Sequence, residues 1–465
     1  MPQIALSIIS IPYPANSLEY ASRFARSTGF IWLDSGTRRE YCGQYDLISA
    51  YPSQHLSAQS ATHIDISQGG ITRQVTLQEA ERWCEEYSRP KNTEQADQAV
   101  AFSGGLLGYI GYEWNHPKFK LAASNSLATP LVYLGVYEWA LVIDHEQHTA
   151  YFVFTENISA QHLQQIMAQF NAPAEYQSSL DTGEFYCGEF KPQTPKSQYL
   201  QDINTILDFI NAGDCYQVNY SQAFSAQFSG DAFAAYCQLR SGCPGPFSAF
   251  ISTAEGAILS LSPEQFIQID TANQATSRPI KGTAARHKNT QQDGSLAREL
   301  HRSVKNRAEN LMIVDLLRND FSKNCRPGSV KVPELFGLYS FTNVHHLIST
   351  IEGSLNDKVS HWHFIIDAFP GGSITGAPKK RAMEIIHQLE PHQRHIYCGC
   401  IGYWSRNGNT RTNIAIRTLL IEGEQIRLWG GGGIVADSNA EDEYQESLDK
   451  IAIFKSILTR SGEPQ

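Results

Sequence analysis

Arg278-Pro279-Ile280-Lys281-Gly282-Thr283 is the stretch on which the reading of this chain turns. Pro279 fixes its own φ and drives Arg278 toward extended backbone. Gly282 permits a tight bend, or an approach of other atoms that a side chain would block. Between them, Lys281 follows an apolar Ile280 in a segment with the composition of a strand running into a turn. A lysine held on rigid backbone and partly stripped of water becomes a nucleophilic amine near neutral pH, because desolvation disfavours the ammonium. On these six residues alone, a solvated turn lysine is the plainer reading. The surrounding chain reverses that balance.

At 465 residues the chain exceeds one ordinary core and is expected to form two domains or one large layered unit. A hydrophobic content of 42% with 18% charged residues is that of a globular protein. The net charge of −10 argues against nucleic acid as a main partner, since phosphate binding needs a basic face. A small anionic substrate stays open, because local cations decide that. The nine cysteines lack paired zinc spacings, and Cys398 and Cys400 form C-x-C, not a redox C-x-x-C. Reduced thiols and a cytoplasmic location are expected. No basic residue precedes the apolar run of Met1 to Ile11, so no signal peptide is expected, and no run suffices to span a membrane.

Up to about Ser179, strand-like runs alternate with polar turns. Phe30 to Leu33 leads into the turn Asp34-Ser35-Gly36, while Leu131 to Asp144 and Ala150 to Thr155 read as a hairpin. The glycines of Gly104 to Gly111 lack the order of a dinucleotide fingerprint and point to tight packing or turns. Gln177 to Ser197 reads as a link. Beyond it come a helix from Ser197 to Ala212, an extended stretch from Asp214 to Phe228, and a strand from Ala257 to Leu261 ahead of Ser262-Pro263-Glu264.

Candidate chemistry collects in the second half. Asp293 to Leu317 reads as one long helix carrying Glu309, and Ser438 to Leu458 as another, with capping-box spacing at Ser438 and Glu441. Glu443, Glu446 and Lys450 share a face of the latter. Surface pairs Lys305–Glu309 and Glu446–Lys450 are the default; two carboxylate helices jointly holding Mg²⁺ are the alternative. Gly430 to Gly433 need a reason, either backbone N–H groups receiving an anion or a β-bulge. Lys379, Lys380 and Arg381 crowd a helix N-terminus after Pro378, where an anion or solvent would relieve them. Arg417 sits in a stretch read as a strand apolar on both faces, which demands a carboxylate partner. Of His345 and His346, one is expected to be structural and the other free to exchange protons.

Ser262-Pro263-Glu264, Pro279 to Thr283, Ala308 to Leu316, Gly371 to Lys379, Ile416-Arg417-Thr418, Gly431 to Asp437 and Glu443 to Glu446 together resemble the chorismate-utilising enzymes. The match is dense from about Ser197 to Leu458 and weaker before it. The resemblance implies an α+β fold: a large layered unit with two antiparallel β-sheets packed together and helices outside. Residues 1–179 would be an N-terminal region of the anthranilate synthase component I type, and 190–460 the chorismate-binding catalytic region.

Anthranilate synthases carry alanine where Lys281 stands. The lysine form implies the branch that aminates chorismate at C4 to 4-amino-4-deoxychorismate, toward p-aminobenzoate and folate, with Lys281 attacking C2. Isochorismate-forming relatives carry a water-activating lysine where Gln217 stands, so ring hydration is not expected. By the same resemblance Glu309 and Glu446, with Glu443 nearby, would hold Mg²⁺. Glu264 would act as acid, and His346 would lie near the ring. Gly282, Thr283, Thr375, Tyr403, Arg417, Gly431, Gly432, Gly433 and Lys450 would line the substrate pocket.

Ser35 and Pro244-Gly245-Pro246 resemble the family's tryptophan pocket, although turn geometry alone also accounts for them. Cys398 to Gly402 mimics part of a glutaminase motif without its first glycine, so a separate glutamine amidotransferase subunit is expected to supply ammonia. Gln265, Ala285 and Arg411 depart from residues common in the family and put local salt bridges in doubt. The rival readings are an anthranilate synthase component I and a non-catalytic tryptophan-binding subunit.

Overall fold

The computed structural model describes residues 6–36, 43–90, 100–122, 127–172, 184–341 and 344–460. Cys42 and the first part of the stretch read as a link lie outside them. The strands form two antiparallel sheets, one of 13 strands and one of 12. Each sheet is assembled from both ends of the chain. In the first, the N-terminal strand Ile31–Asp34 pairs with Phe247–Ser252. In the second, Gly105–Ile110 pairs with Cys400–Ser405. The expected layered α+β unit is thus what forms, and its core is common to both halves.

Two-residue alternation explains the long apolar runs. Ile31, Leu47, Val142 and Ile251 point into the core shared by the two sheets. Their neighbours Trp32, Ile48, Leu141 and Phe250 point the other way, into a second core under the helices Ala232–Gly242 and Ala440–Arg460. Strands buried on both faces have no polar side to show. Gly105 and Gly108 lie where a Cβ would meet the backbone oxygens of Trp404 and Tyr133 at 2.2 and 1.9 Å. Close packing, not phosphate binding, accounts for that glycine run.

Several sequence expectations are corrected. Only the second half of Leu131 to Asp144 forms the expected hairpin, with Trp139–Asp144 paired to Thr149–Thr155. The stretch is two strands, Val132–Tyr137 and Trp139–Asp144, which belong to different sheets. The break falls at Glu138, whose carboxylate accepts from Arg406 Nη2 at 2.8 Å; that partner is remote in sequence. Asp293 to Leu317 is two helices, Thr290–Arg302 and Val304–Ser322, broken at an extended Ser303 whose hydroxyl accepts from the Asn306 amide. Asn439, not Ser438, caps the last helix through the amides of Glu441 and Asp442. Residues read as linking the halves instead add strands: Phe185–Cys187 pairs with Gln217–Gly230.

Candidate active site

Lys281 lies on the strand Ile280–Ala285, which pairs with Val344–Ser354 through a bulge between Ile280 and Thr283. Gly282 has φ +92°, and a Cβ there would come 3.1 Å from Cβ of Asn306. That contact lets the strand lie against the helix Val304–Ser322, which carries Glu309. Lys281 is half-buried, and its Nζ donates to the Ser373 carbonyl at 3.2 Å. Burial depresses its pKa, while Glu264 and Glu309 pull it partly back.

Glu264 is 5% exposed, with Oε1 unpaired among the described residues. Burial raises its pKa, and the charge of Lys281 opposes that rise. Its loop is pinned by the Ile414 amide, which donates to the Glu264 carbonyl at 3.0 Å. A buried carboxyl favouring its neutral form beside an amine favouring its neutral form has the properties an acid and a nucleophile require.

His346 is buried, and its Nδ1 lies 2.9 Å from the Thr283 hydroxyl. Burial, then the charge of Arg417, lowers its pKa to about 4, so it is neutral at pH 7. His345 faces the other way. Its ring contacts Ser340 at 2.8 Å and Asp293 at 3.1 Å, which makes it the structural one of the pair.

The last helix brings Glu443, Glu446 and Lys450 over Gly432. A Cβ there would lie 3.0 Å from Glu443 Oε2, 3.5 Å from Glu446 Oε1 and 3.7 Å from Lys450 Nζ. Lys450 Nζ sits 2.7 Å from Glu446 Oε1 and donates to the Gly431 carbonyl at 2.9 Å. The glycine strand keeps regular register against Gln217–Gly230, so no bulge explains it. It clears room for the helix on one face and for Gln217 on the other. Burial raises the pKa of Glu309 and of Glu443, and Glu446 adds to both. Glu309, Lys281, Glu446 and Lys450 are therefore within electrostatic reach of one another. Among the described residues, no group of three or more His, Cys, Asp or Glu forms a metal cage by itself.

Arg417 is not in a strand. It precedes Thr418–Glu422 with φ +51° and has no carboxylate partner among the described residues. Its side chain is exposed, yet loss of surrounding water lowers its pKa. Thr375 is fully buried, and its hydroxyl donates to the Gly371 carbonyl at 3.0 Å, so it shapes its loop. The crowded cations after Pro378 have internal partners: Lys379 with Asp320 at 2.7 Å and Arg381 with Asp214 at 2.9 Å. No outside anion is needed there.

Tyr403 lies elsewhere. With Asp34, Tyr45, Pro246 and Arg411 it lines a cavity of about 50 Å³. The adjoining cavity of about 630 Å³ shares Tyr45, Tyr403 and Arg411. The two segments of the tryptophan-like motif do meet here, since a Cβ on Gly36 would lie 2.9 Å from the Gly245 carbonyl. Ser35, however, spends its amide and hydroxyl on Asp46 Oδ1, at 2.8 and 2.5 Å. The buried Cys398 thiol is pushed up to about 12 and is no nucleophile. Sequence reasoning missed Arg394, which is 1% exposed and donates to the carbonyls of Ile374 and Asn219 at 2.9 and 2.6 Å, beside Glu390. Its spacing of four from Glu390 was the available signal.

A buried carboxyl, a desolvated lysine and an exposed arginine are the groups of an enzyme site, and comparison with known proteins names its class. Residues 29–456 match the model of the chorismate binding enzyme family, and the chain belongs to that family. It is 38% identical over 457 residues to aminodeoxychorismate synthase component 1 of Escherichia coli (strain K12), covering 97% of this chain and 98% of that one. The protein of the same name from Salmonella typhimurium is 39% identical over 459 residues, with 97% and 98% covered. Anthranilate synthase component I from Streptococcus pneumoniae superposes with a TM-score of 0.78 at 27% identity, over 88% of this chain and 92% of that one.

Proposed function

We propose that the protein aminates chorismate with ammonia to give 4-amino-4-deoxychorismate. The supporting observation is Lys281 itself: half-buried, with a depressed pKa, beside the buried Glu264, at the position where anthranilate-forming relatives carry alanine. Neutral Lys281 adds to C2, the ring double bond shifts, and the C4 hydroxyl leaves with a proton from Glu264. Ammonia then adds at C4, the double bond shifts back, and Lys281 is expelled. One water is released for each ammonia incorporated. Arg417 offers its open guanidinium to a substrate carboxylate, a pairing that is bidentate and charge-assisted. Neutral His346, held on Thr283, faces the ring without adding charge.

Mg²⁺ fits the carboxylates of Glu309 and Glu446, with Glu443 supporting them from Ser438, whose hydroxyl donates to it at 2.6 Å. The charge of Glu446 helps to raise the pKa of both Glu309 and Glu443, as in a cluster waiting for a cation, and Mg²⁺ keeps several waters and needs few protein oxygens. When bound it would neutralise a substrate carboxylate and fix the ring. Ammonia is expected from a glutamine amidotransferase partner. In the test, product is identified from chorismate, ammonium and Mg²⁺. 4-Amino-4-deoxychorismate is expected; anthranilate as sole product overturns the proposal, and no turnover with any nitrogen source favours a binding subunit.

A further inference from the structure

Beside the inner face of the strand Gln217–Gly230 lies a polar cavity of about 160 Å³, walled in part by Tyr112, Glu113, His116, Glu390, His392 and Arg394. Lys281 does not line it. Two buried atoms of its lining residues, the Tyr112 hydroxyl and His392 Nδ1, have no hydrogen-bond partner among the described residues. His392 Nε2 lies 3.3 Å from the Ser221 hydroxyl and 3.7 Å from Glu390 Oε2. That places the imidazole proton on Nε2 and leaves Nδ1 an acceptor. An occupant therefore has to donate to Nδ1 while satisfying the phenol.

The wall continues into the strand. Ser221 donates to Glu390 Oε1 at 2.8 Å. Ser221, Asn219 and Gln217 follow at two-residue spacing, so they share one face, roughly 7 Å apart. Along this file Asn219 Oδ1 and both amide atoms of Gln217 are buried without partners among the described residues. The file ends at the glycine strand, where a Cβ on Gly433 would lie 2.1 Å from Gln217 Nε2. Orphaned buried polar atoms are rare, and a row of them calls for a small hydrogen-bonding occupant.

We propose that this cavity holds ammonia and that Ser221, Asn219 and Gln217 pass it to the substrate pocket. The proposal rests on the amination reading above. Neutral ammonia has three donors and one lone pair, which match an acceptor imidazole, a phenol and the amide oxygens. An unpaired ammonium is disfavoured in so buried a file.

Steady-state kinetics with ammonium chloride as nitrogen source test it in Asn219→Leu, a near-isostere without the amide, and Ser221→Ala, which adds no volume. The KM for ammonium is expected to rise at least about fivefold in each, with the KM for chorismate unchanged within about twofold. A merely structural role moves both constants together. That result, or an unchanged ammonium KM as for a file that holds only water, overturns the proposal. Thermal melts establish folding, and Ser221→Ala decides if Asn219→Leu does not fold. Absence of aminated product from the unsubstituted protein overturns the amination reading instead.

Discussion

Lys281 Nζ donates to the carbonyl oxygen of Ser373 across 3.2 Å, which ties the candidate nucleophile to the loop that also carries Thr375. The same loop is held from behind by Arg394, whose Nη1 donates to the Ile374 carbonyl at 2.9 Å. The amine is thus aimed by backbone, not by a second charged side chain. Loss of protons does not release it, because a neutral amine still donates. Geometry of this kind favours a nucleophile over a salt-bridge cation.

Lys281→Ala is expected to lower amination by about three orders of magnitude or more, since removing a covalent nucleophile eliminates its pathway. Mass spectrometry of the unsubstituted protein quenched during turnover is expected to show an adduct on the peptide containing Lys281. An unchanged rate in the variant refutes the role.

Activity is expected to be bell-shaped in pH. Lys281 has to lose its proton, so the rate rises with pH toward its depressed pKa; Glu264 has to keep its own, so the rate falls above its raised pKa. Glu264→Gln removes a charge that holds Lys281 up. The rising limb should therefore move to lower pH and the falling limb disappear, with kcat much reduced. A rising limb that moves upward contradicts this assignment.

Arg417→Gln should act on substrate binding. Loss of a charge-assisted bidentate contact is worth about 2–3 kcal/mol, or roughly 30- to 150-fold in kcat/KM for chorismate. An isothermal titration showing unaltered affinity for chorismate tells against the contact.

Gly432→Ala places a methyl group 3.0 Å from Glu443 Oε2 and displaces the carboxylates above it. If Glu309 and Glu446 hold Mg²⁺ as proposed, a shift of that kind beside them is expected to cost on the order of 10- to 100-fold in Mg²⁺ affinity. Titration of activity with Mg²⁺ reads the effect, and an identical midpoint refutes it.

The protein should lose stability between pH 7 and pH 5. His116, His346, His361 and His395 are buried, with pKa values lowered to about 4. Their stabilising contribution is complete above the unfolded value near 6.5 and is lost as pH falls toward 4, because the unfolded chain takes up protons first. By pH 5 each contributes a loss on the order of 1–2 kcal/mol. Glu113, raised to about 7 by burial, works the opposite way over this window, and Glu264, Glu309 and Glu443, which burial also raises, add to it, so the net loss is smaller than the four histidines alone would give. Urea unfolding at the two pH values checks the sign, and His361→Gln should flatten the difference.

The sequence alone determined the local elements and the chemical types. Apolar runs buried on both faces marked the strands around Ile31 and Val142, and Pro279 with Gly282 marked a constrained lysine. Ordered motifs shared with a family supplied the remainder, including Glu309, Glu446 and Arg417. Tertiary structure alone decided where the chain breaks and what meets. Glu138 splits a continuous run because its partner Arg406 is 268 residues away, and Ser303 breaks a helix whose periodicity runs on. Tyr403 belongs to the cavity beside Asp34, and Arg417 bends out of a stretch that composition reads as strand. Periodicity reports which face of an element is apolar, whereas convergence depends on contacts between residues hundreds of positions apart, which no local pattern records.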